Sequence, residues 1–562
     1  MTTEARTALE PSSHSATTDD MSAVAQRTAY AWQRFESWLT WVGDRLNPIL
    51  VKETRQALKS RQFSLTFLLV LIACWVVTMG GVALIGPGIF YSAMGGTLLI
   101  YYFVVLAFPL TIVVPYTAYR SLAAEREDNT FEVLSITTLK TRQIISGKLG
   151  SAVVQMAVYF SAVTPCLAFT YLLRGVDVPT IAVLLVYSFF GSLGLSMIGL
   201  LLATLTRQRY SQVFVSVLFI AGLLGSFMFA IGMAVSLVSV SYAFVSDVWF
   251  WIGTMAAFTA WLTTFALAFF AAAGMITFAS ENRSTPLRIV MLVQQACWIG
   301  WMGAIWVVED FDLELVLVGA TVAGLYWYSM GVMLTAERSE MSQRVKRRLP
   351  QTALGRAFFT WFNPGPASGY MFVVATTTAQ AVLTLLAVAI SEITGRGITG
   401  WPSVQETLCL AFVGWGYLVG YLGLGLLAIT ALRRFTIVNM AAAVLIQLLL
   451  VLAGSGIPSA IQLMSVELRE LDYSYLQITN PFWTIHYIGD RGLPSDAVVL
   501  LLLVSTGAIC VLLLNLPGVV RELRQVRIAA PARVAEDELE LHPLPAALPT
   551  NPWDEEARAM IE

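Results

Sequence analysis

Chemistry in this chain has few places to reside. Glu125, Arg126, Glu127, Asp128 and Glu132, then Lys140, Arg142 and Gly147-Lys148, form a run of charge between two long apolar stretches. The Gly-Lys pair invites a test for nucleotide hydrolysis, which needs a G-x-x-x-x-G-K-[S/T] loop to cradle phosphate. Arg142 stands where the first glycine belongs and Leu149 where the hydroxyl belongs, so the chain does not carry that loop. His14, His486 and His542 are scattered and no HExxH motif occurs, so a multi-histidine metal site is not expected. The five cysteines, Cys74, Cys166, Cys297, Cys409 and Cys510, lie inside apolar segments without a CxxC pair. They are expected to be small buried side chains rather than disulfide or zinc ligands. No serine or threonine pairs convincingly with a base. Neither an enzyme nor a bound cofactor is expected, which leaves docking as the chemistry open to the charged run. Leu122, Phe131, Leu134 and Leu139 recur among its charges as the apolar side of a mixed helix suited to a bilayer surface or a partner.

The elements that must position this run are membrane spans. Of 562 residues, 57% are hydrophobic and only 12% charged, against about a quarter charged in soluble domains. A helix needs about 20 apolar residues to cross ~30 Å of hydrocarbon. Twelve stretches qualify, near 63–84, 97–119, 150–173, 181–205, 213–238, 249–279, 287–308, 314–334, 370–392, 405–432, 437–458 and 496–516. The expected fold is therefore all-α, a polytopic transmembrane helical bundle of about 12 spans. The charged run falls in the connection between spans two and three. Pro109 and Pro115 in span two are placed to bend the helix beside it.

Charge distribution orients the bundle. If both termini are cytoplasmic, only Arg174, Arg396, Arg469 and Arg491 of the 34 Lys and Arg residues fall on the outer side. All five lysines, Lys52, Lys59, Lys140, Lys148 and Lys346, lie inside. Positive residues resist translocation, so this asymmetry sets orientation. The expected location is the inner (plasma) membrane, crossed many times.

Five regions follow. Residues 1–28 read as a disordered cytoplasmic tail without the apolar core of a signal peptide. Residues 29–61 carry Trp32, Phe35, Trp38, Leu39, Val42 and Leu46 at helical spacing, the pattern of a helix in the headgroup plane. Residues 62–285 hold six spans with the charged segment 120–149. Residues 286–520 hold six more, with a basic cytoplasmic linker 335–369 and a long outer loop 455–495, where amphipathic structure on the outer membrane face is expected. Residues 521–562 read as a disordered acidic tail. Arg338, Arg344, Lys346, Arg347 and Arg348 in the linker suit anionic lipid headgroups better than nucleic acid, which is not an expected partner. No charge falls near a span centre, which argues against a proton- or sodium-driven carrier. Gly414, Gly416, Gly420, Gly423 and Gly425 in span ten predict close helix packing within the chain.

The charged run also resembles a known pattern. Type-2 ABC exporter permeases carry, after their second span, a segment close to E-x-E-x-G-T-L-E-x-L-L-x-T-P-L followed by G-K. Glu125, Glu127, Thr130, Glu132, Leu134, Thr137, Leu139, Gly147 and Lys148 occupy matching positions, with Asn129 in place of the glycine and Thr138 in place of the proline. The stretch NPILVKETRQALKSRQF before span one is similar to the connecting helix of that family. The resemblance covers roughly residues 45–285. It implies a permease subunit of an exporter, with ATP bound by a separate ATPase subunit; the apolar spans and the lack of a charged pathway suit an apolar or amphipathic substrate. Glu125, Arg126, Glu127, Thr130, Glu132, Leu134, Thr137 and Leu139 would form the coupling helix that meets that ATPase. The connection between spans ten and eleven is too short for a second one, which implies a homodimer or a second permease chain as the working assembly. Asn363-Pro364 echoes Asn47-Pro48 and hints at a diverged repeat. A membrane scaffold that recruits a cytoplasmic partner, and less directly a secondary carrier, are the competing readings.

Overall fold

The computed structural model describes residues 47–541 except 86–93, 128–139, 206–208, 241–243, 279–280, 338–342, 348–349, 351, 353, 356–358, 360, 396–401, 437, 470–472, 491–492 and 525–530. Among the described residues every regular element is helical. Twelve helices are long and apolar enough to cross a membrane: Arg61–Ala83, Gly95–Glu127, Thr141–Leu172, Val178–Leu205, Tyr210–Val240, Val248–Ile276, Ser284–Val308, Leu313–Thr335, Pro366–Thr394, Val404–Leu432, Met440–Met464 and Ala497–Glu522. Each coincides with one of the twelve expected stretches. The chain is a multi-pass membrane protein.

Several helices outrun their apolar cores. Span two continues to Glu127 and span three begins at Thr141, because Ala, Leu, Glu, Arg and Lys propagate a helix as readily outside hydrocarbon as within it. The expected coupling segment 120–149 is divided between elements accordingly. Residues 120–127 are the end of span two and 141–149 the start of span three, leaving 128–140 to connect them. Leu122, expected to face the bilayer or a partner, is fully buried with Ala123. The tail after 520 also differs from expectation: span twelve's helix persists to Leu523, and Ala532–Leu541, rich in Ala, Leu and Glu, is helical. The Trp32–Leu46 stripe, the first 46 residues and everything beyond 541 lie outside the described residues.

The chain divides into two compact units, residues 1–261 with 268–276, and residues 262–267 with 277–562. The core of the first is built from spans one to five around Leu99, Tyr102, Phe103, Leu106, Met156 and Tyr159. Its axis is span two, which loosens at Pro109–Val113 into a single π turn. A proline cannot donate to the preceding turn, and the Ser192 hydroxyl of span four donates to the Leu110 carbonyl there at 2.5 Å. The core of the second unit lies among spans seven to ten and twelve, around Trp327, Tyr370, Val373, Val419 and Leu422. Span ten packs closely, as its glycines predict. A methyl on Gly416 would fall 2.8 Å from Val504 of span twelve, and Gly423 and Gly425 face Val511 and Gln447. Gly414 and Gly420 have open space instead. All five cysteines are free; Cys74 and Cys409 are buried, but Cys510, expected to be buried, is exposed.

Candidate functional site

The chain before span one sets up the first unit's site. Asn47 caps the short entry helix Pro48–Leu58, its Oδ1 accepting from the Ile49 amide at 3.1 Å. Asparagine at such a position satisfies an amide that the helix itself leaves orphaned. Its Nδ2 donates to the Gln143 carbonyl at 2.5 Å and to Ser146 Oγ at 3.4 Å, tying the cap to span three. Gly147 and Gly150 let the two helices touch: a Cβ on Gly147 would lie 2.8 Å from Ile49, and one on Gly150 2.7 Å from Leu50.

That close approach buries Lys148. Its ammonium reaches Glu53 of the entry helix at 3.0 Å, Glu125 of span two at 3.1 Å and the Ser121 carbonyl at 3.3 Å. Three acceptors meet three N–H bonds, the condition under which a buried ammonium is tolerated. Lys52 stands 3.9 Å from Glu125 on the exposed side. Glu125, expected on a cytosolic charged face, is instead an internal ligand of Lys148. The lysine that matched the family pattern is the centre of a clasp joining three elements.

Two further residues of the predicted set extend the clasp. Arg126 donates to the Thr204 carbonyl at 2.7 Å, in the last turn of span four, where helix carbonyls lack partners. Glu127 accepts from Gln212 of span five at 2.9 Å. One turn or two back, Tyr119 shares a hydroxyl contact of 2.6 Å with Ser216 of span five. The stub of span two from Val114 to Glu127 is thus fastened to the entry helix and to spans three, four and five. Thr130, Glu132, Leu134, Thr137 and Leu139 lie outside the described residues.

The second unit has a site that sequence reasoning missed. Arg288, one turn into span seven and fully buried, donates to Glu337 at 2.8 Å, to the Trp361 carbonyl at 2.6 Å and to Ser368 Oγ and the Gly365 carbonyl, both at 3.2 Å. Glu337 lies just past span eight and also accepts from Ser284 at 2.5 Å. Glu522, ending span twelve, accepts the Ala367 and Ser368 amides at 3.2 and 2.7 Å. These are orphan donors of the first turn of span nine, which a carboxylate suits doubly. Arg288 and Glu337 are 49 residues apart with spans seven and eight between them, so no local pattern announces the pair. Asn363-Pro364 precedes span nine, third in its unit, whereas Asn47-Pro48 precedes span one; the echo does not mark equivalent places.

The expected outer loop 455–495 starts later, because span eleven extends to Met464, and a 3₁₀ turn Tyr475–Thr479 and a helix Pro481–Asp490 follow. The helix leaves Phe482, Trp483 and Ile485 exposed, while the turn is hydrogen-bonded to residues midway along neighbouring spans. Tyr417, about four turns into span ten, donates to the Ile478 carbonyl at 2.6 Å, and Tyr421 to Thr479. Thr479 in turn donates to the Gly454 carbonyl of span eleven at 3.0 Å. Gln477 donates to Gln462 at 2.8 Å, and Asn480 to Ser459 at 3.2 Å and to Gln477 at 3.1 Å. Irregular backbone at span depth survives only where protein satisfies it, and these side chains do so. The segment was unreadable as buried because its Gln, Asn, Ser and Thr lower its hydropathy to that of a surface loop. His486, at 5.9 Å edge-on to Trp483, is exposed on this helix.

Among the described residues no group of three His, Cys, Asp or Glu side chains could hold a metal. No protein-family model, no curated protein and no solved structure matches the chain.

Proposed function

We propose that this chain is the membrane-spanning permease subunit of an ABC exporter, driven by a separate ATPase docking on the connection between spans two and three. The substrate would be apolar or amphipathic and would move outward, with both chain termini in the cytoplasm as the charge asymmetry requires. One observation carries the reading. The stub of span two that leads into residues 128–139 is fastened to four other elements through Glu125, Arg126, Glu127 and Tyr119. A push on the connection therefore reaches the entry helix and spans three, four and five together. The π turn at Pro109–Val113, about 14 residues or ~21 Å above Glu127 along the helix, is a place where such a lever flexes.

The test separates docking from the clasp. Glu125 holds Lys148, so its reversal would disturb the fold. Glu132→Lys combined with Leu134→Asp leaves every clasp residue in place. In a chain co-expressed and purified with an ABC ATPase subunit from the same organism, the pair is expected to abolish association and ATPase stimulation while leaving the purified chain monodisperse. Undiminished association would defeat the docking assignment. Binding without ATP-dependent export of a lipid or dye from inverted vesicles would favour a scaffold instead.

A further inference from the structure

Among the described residues, polar atoms that are buried without a hydrogen-bond partner gather in one part of the second unit. Gln447 of span eleven, 1% exposed, donates two long bonds, to the Leu422 carbonyl of span ten at 3.3 Å and to Thr335 of span eight at 3.4 Å. Its Oε1 is buried and unpartnered. Gly425 of span ten makes the room that this side chain occupies. Tyr328 precedes Thr335 by seven residues and so stands about two turns away on the same side of span eight. Its hydroxyl is buried and unpartnered too, within electrostatic reach of Tyr421, whose own hydroxyl bonds Thr479. Ser455, ~12 Å further along span eleven than Gln447, has a third such oxygen.

The Tyr475–Thr479 turn shows how the same walls are satisfied where the chain itself meets them. Pro458 in span eleven has no amide hydrogen for the Gly454 carbonyl, and Thr479 donates there at 3.0 Å instead. Gln477 and Asn480 bond Gln462 and Ser459 beside it. From Ser455 to Gln447 the walls stay polar but the turn no longer reaches them. Buried amide and hydroxyl oxygens without a hydrogen bond cost free energy, so three between the same spans mark a place for a guest that bonds to them.

The walls also define the guest. Gln447 offers an acceptor, and the two hydroxyls can donate or accept. No formal charge is at hand: span eleven has none, and spans eight and ten carry one acid each, Glu314 and Glu406, in their first turns. A charged guest would lack a counter-charge at this depth, which is costly. On its opposite side span eleven exposes Leu445, Leu448, Leu449 and Leu452, a face suited to acyl chains.

Resting on the permease reading, and naming its substrate class, we propose that the tract between spans eight, ten and eleven binds the uncharged, hydroxyl-bearing headgroup of an amphipathic lipid whose tail stays in the bilayer. Three probes with one tail and different heads test it: monooleoylglycerol, methyl oleate and 1-oleoyl-lysophosphatidylglycerol, in equal fractions in vesicles holding the full chain. Native mass spectrometry after release is expected to find monooleoylglycerol retained above the other two. Gln447→Leu, close in size but without the acceptor, should lower that retention about fivefold, the scale of one hydrogen bond. Equal retention of all three, or a preference that this variant leaves intact, would overturn the site. Preference for the lysophosphatidylglycerol would overturn the uncharged class. Radiolytic footprinting of the unaltered chain needs no variant to fold. Monooleoylglycerol should protect Tyr328 from oxidation, while Tyr370, whose hydroxyl is bonded to the Val419 carbonyl at 3.0 Å, should not respond. A Tyr328 indifferent to the probe would overturn the site. Neither measurement needs an ATPase. Lipid held but never exported on addition of ATPase and ATP would sink the permease reading and leave the site standing. Export of a dye by a chain that shows no headgroup preference would do the reverse.

Discussion

Lys148 and Arg288 solve one problem in two ways. Each is a cation without solvent at the end of a helical bundle, and each ties elements far apart in sequence. Lys148 is a point charge held mainly by two carboxylates, at 3.0 and 3.1 Å. Arg288 is a planar fork whose donors reach one carboxylate, two backbone carbonyls and a hydroxyl. An ammonium rotates and exchanges acceptors freely, whereas a guanidinium accepts one geometry. The first clasp thus tolerates small shifts of the entry helix against spans two and three, and the second fixes the bend leading into span nine. The difference teaches that a buried cation can hold helices loosely or rigidly according to the shape of its charge.

Six variants put this contrast at risk. The largest effect is expected from Arg288→Ala, which takes the cation from Glu337 and a donor from the Trp361 carbonyl; removal of one partner of a buried pair costs about 3–5 kcal/mol, and this variant should sit at the upper end in detergent unfolding. Lys148→Ala should fall lower in that range, and a larger loss there than at Arg288 would invert the comparison. Arg288→Lys keeps the charge but forfeits the fork and should still cost roughly 2 kcal/mol, the scale of one to two hydrogen bonds to a charged group. Lys148→Arg, by contrast, should preserve the pairing of entry helix and span three. That pairing is readable as crosslinking between paired cysteines introduced by Leu50→Cys and Gly150→Cys. Gly147→Ala pushes a methyl into Ile49 and should cost about 1–3 kcal/mol, as overpacking does, with loss of the same crosslink. The smallest effect, about 1 kcal/mol, is expected from Ser192→Ala, which leaves the Leu110 carbonyl of the π turn without its donor. A change within error would mean that the hydroxyl does not hold the bend.

How much of this was legible follows from the kind of signal each feature leaves. Spans announce themselves because about 20 apolar residues in a row have few other meanings, and Pro109 gave away the irregularity of span two. The helical continuation through Arg120–Glu127 was hidden because polarity ends a hydropathy window without ending a helix. Lys148 was visible as a motif residue, yet its burial was not: the contact depends on Glu53, 95 residues earlier, and on glycines that read as ordinary until two helices are seen to touch there. Arg288 resembled one more inner-side charge. Gln462, Gln477 and Asn480 looked solvated because satisfaction by protein and by water reads the same in sequence.

The 3₁₀ segment at Tyr475–Thr479 has a consequence for how the molecule is made. Its irregular backbone and the Gln477 amide cannot be satisfied by lipid, so it can descend only into a socket that already exists. That socket comprises Tyr417, Tyr421, Gly454, Ser459 and Gln462, and every one of these precedes it in the chain. Synthesis from the N-terminus therefore delivers the receiving walls before the piece they receive. Only span twelve remains to emerge afterwards and close the side of span ten. The order of translation is itself an assembly instruction.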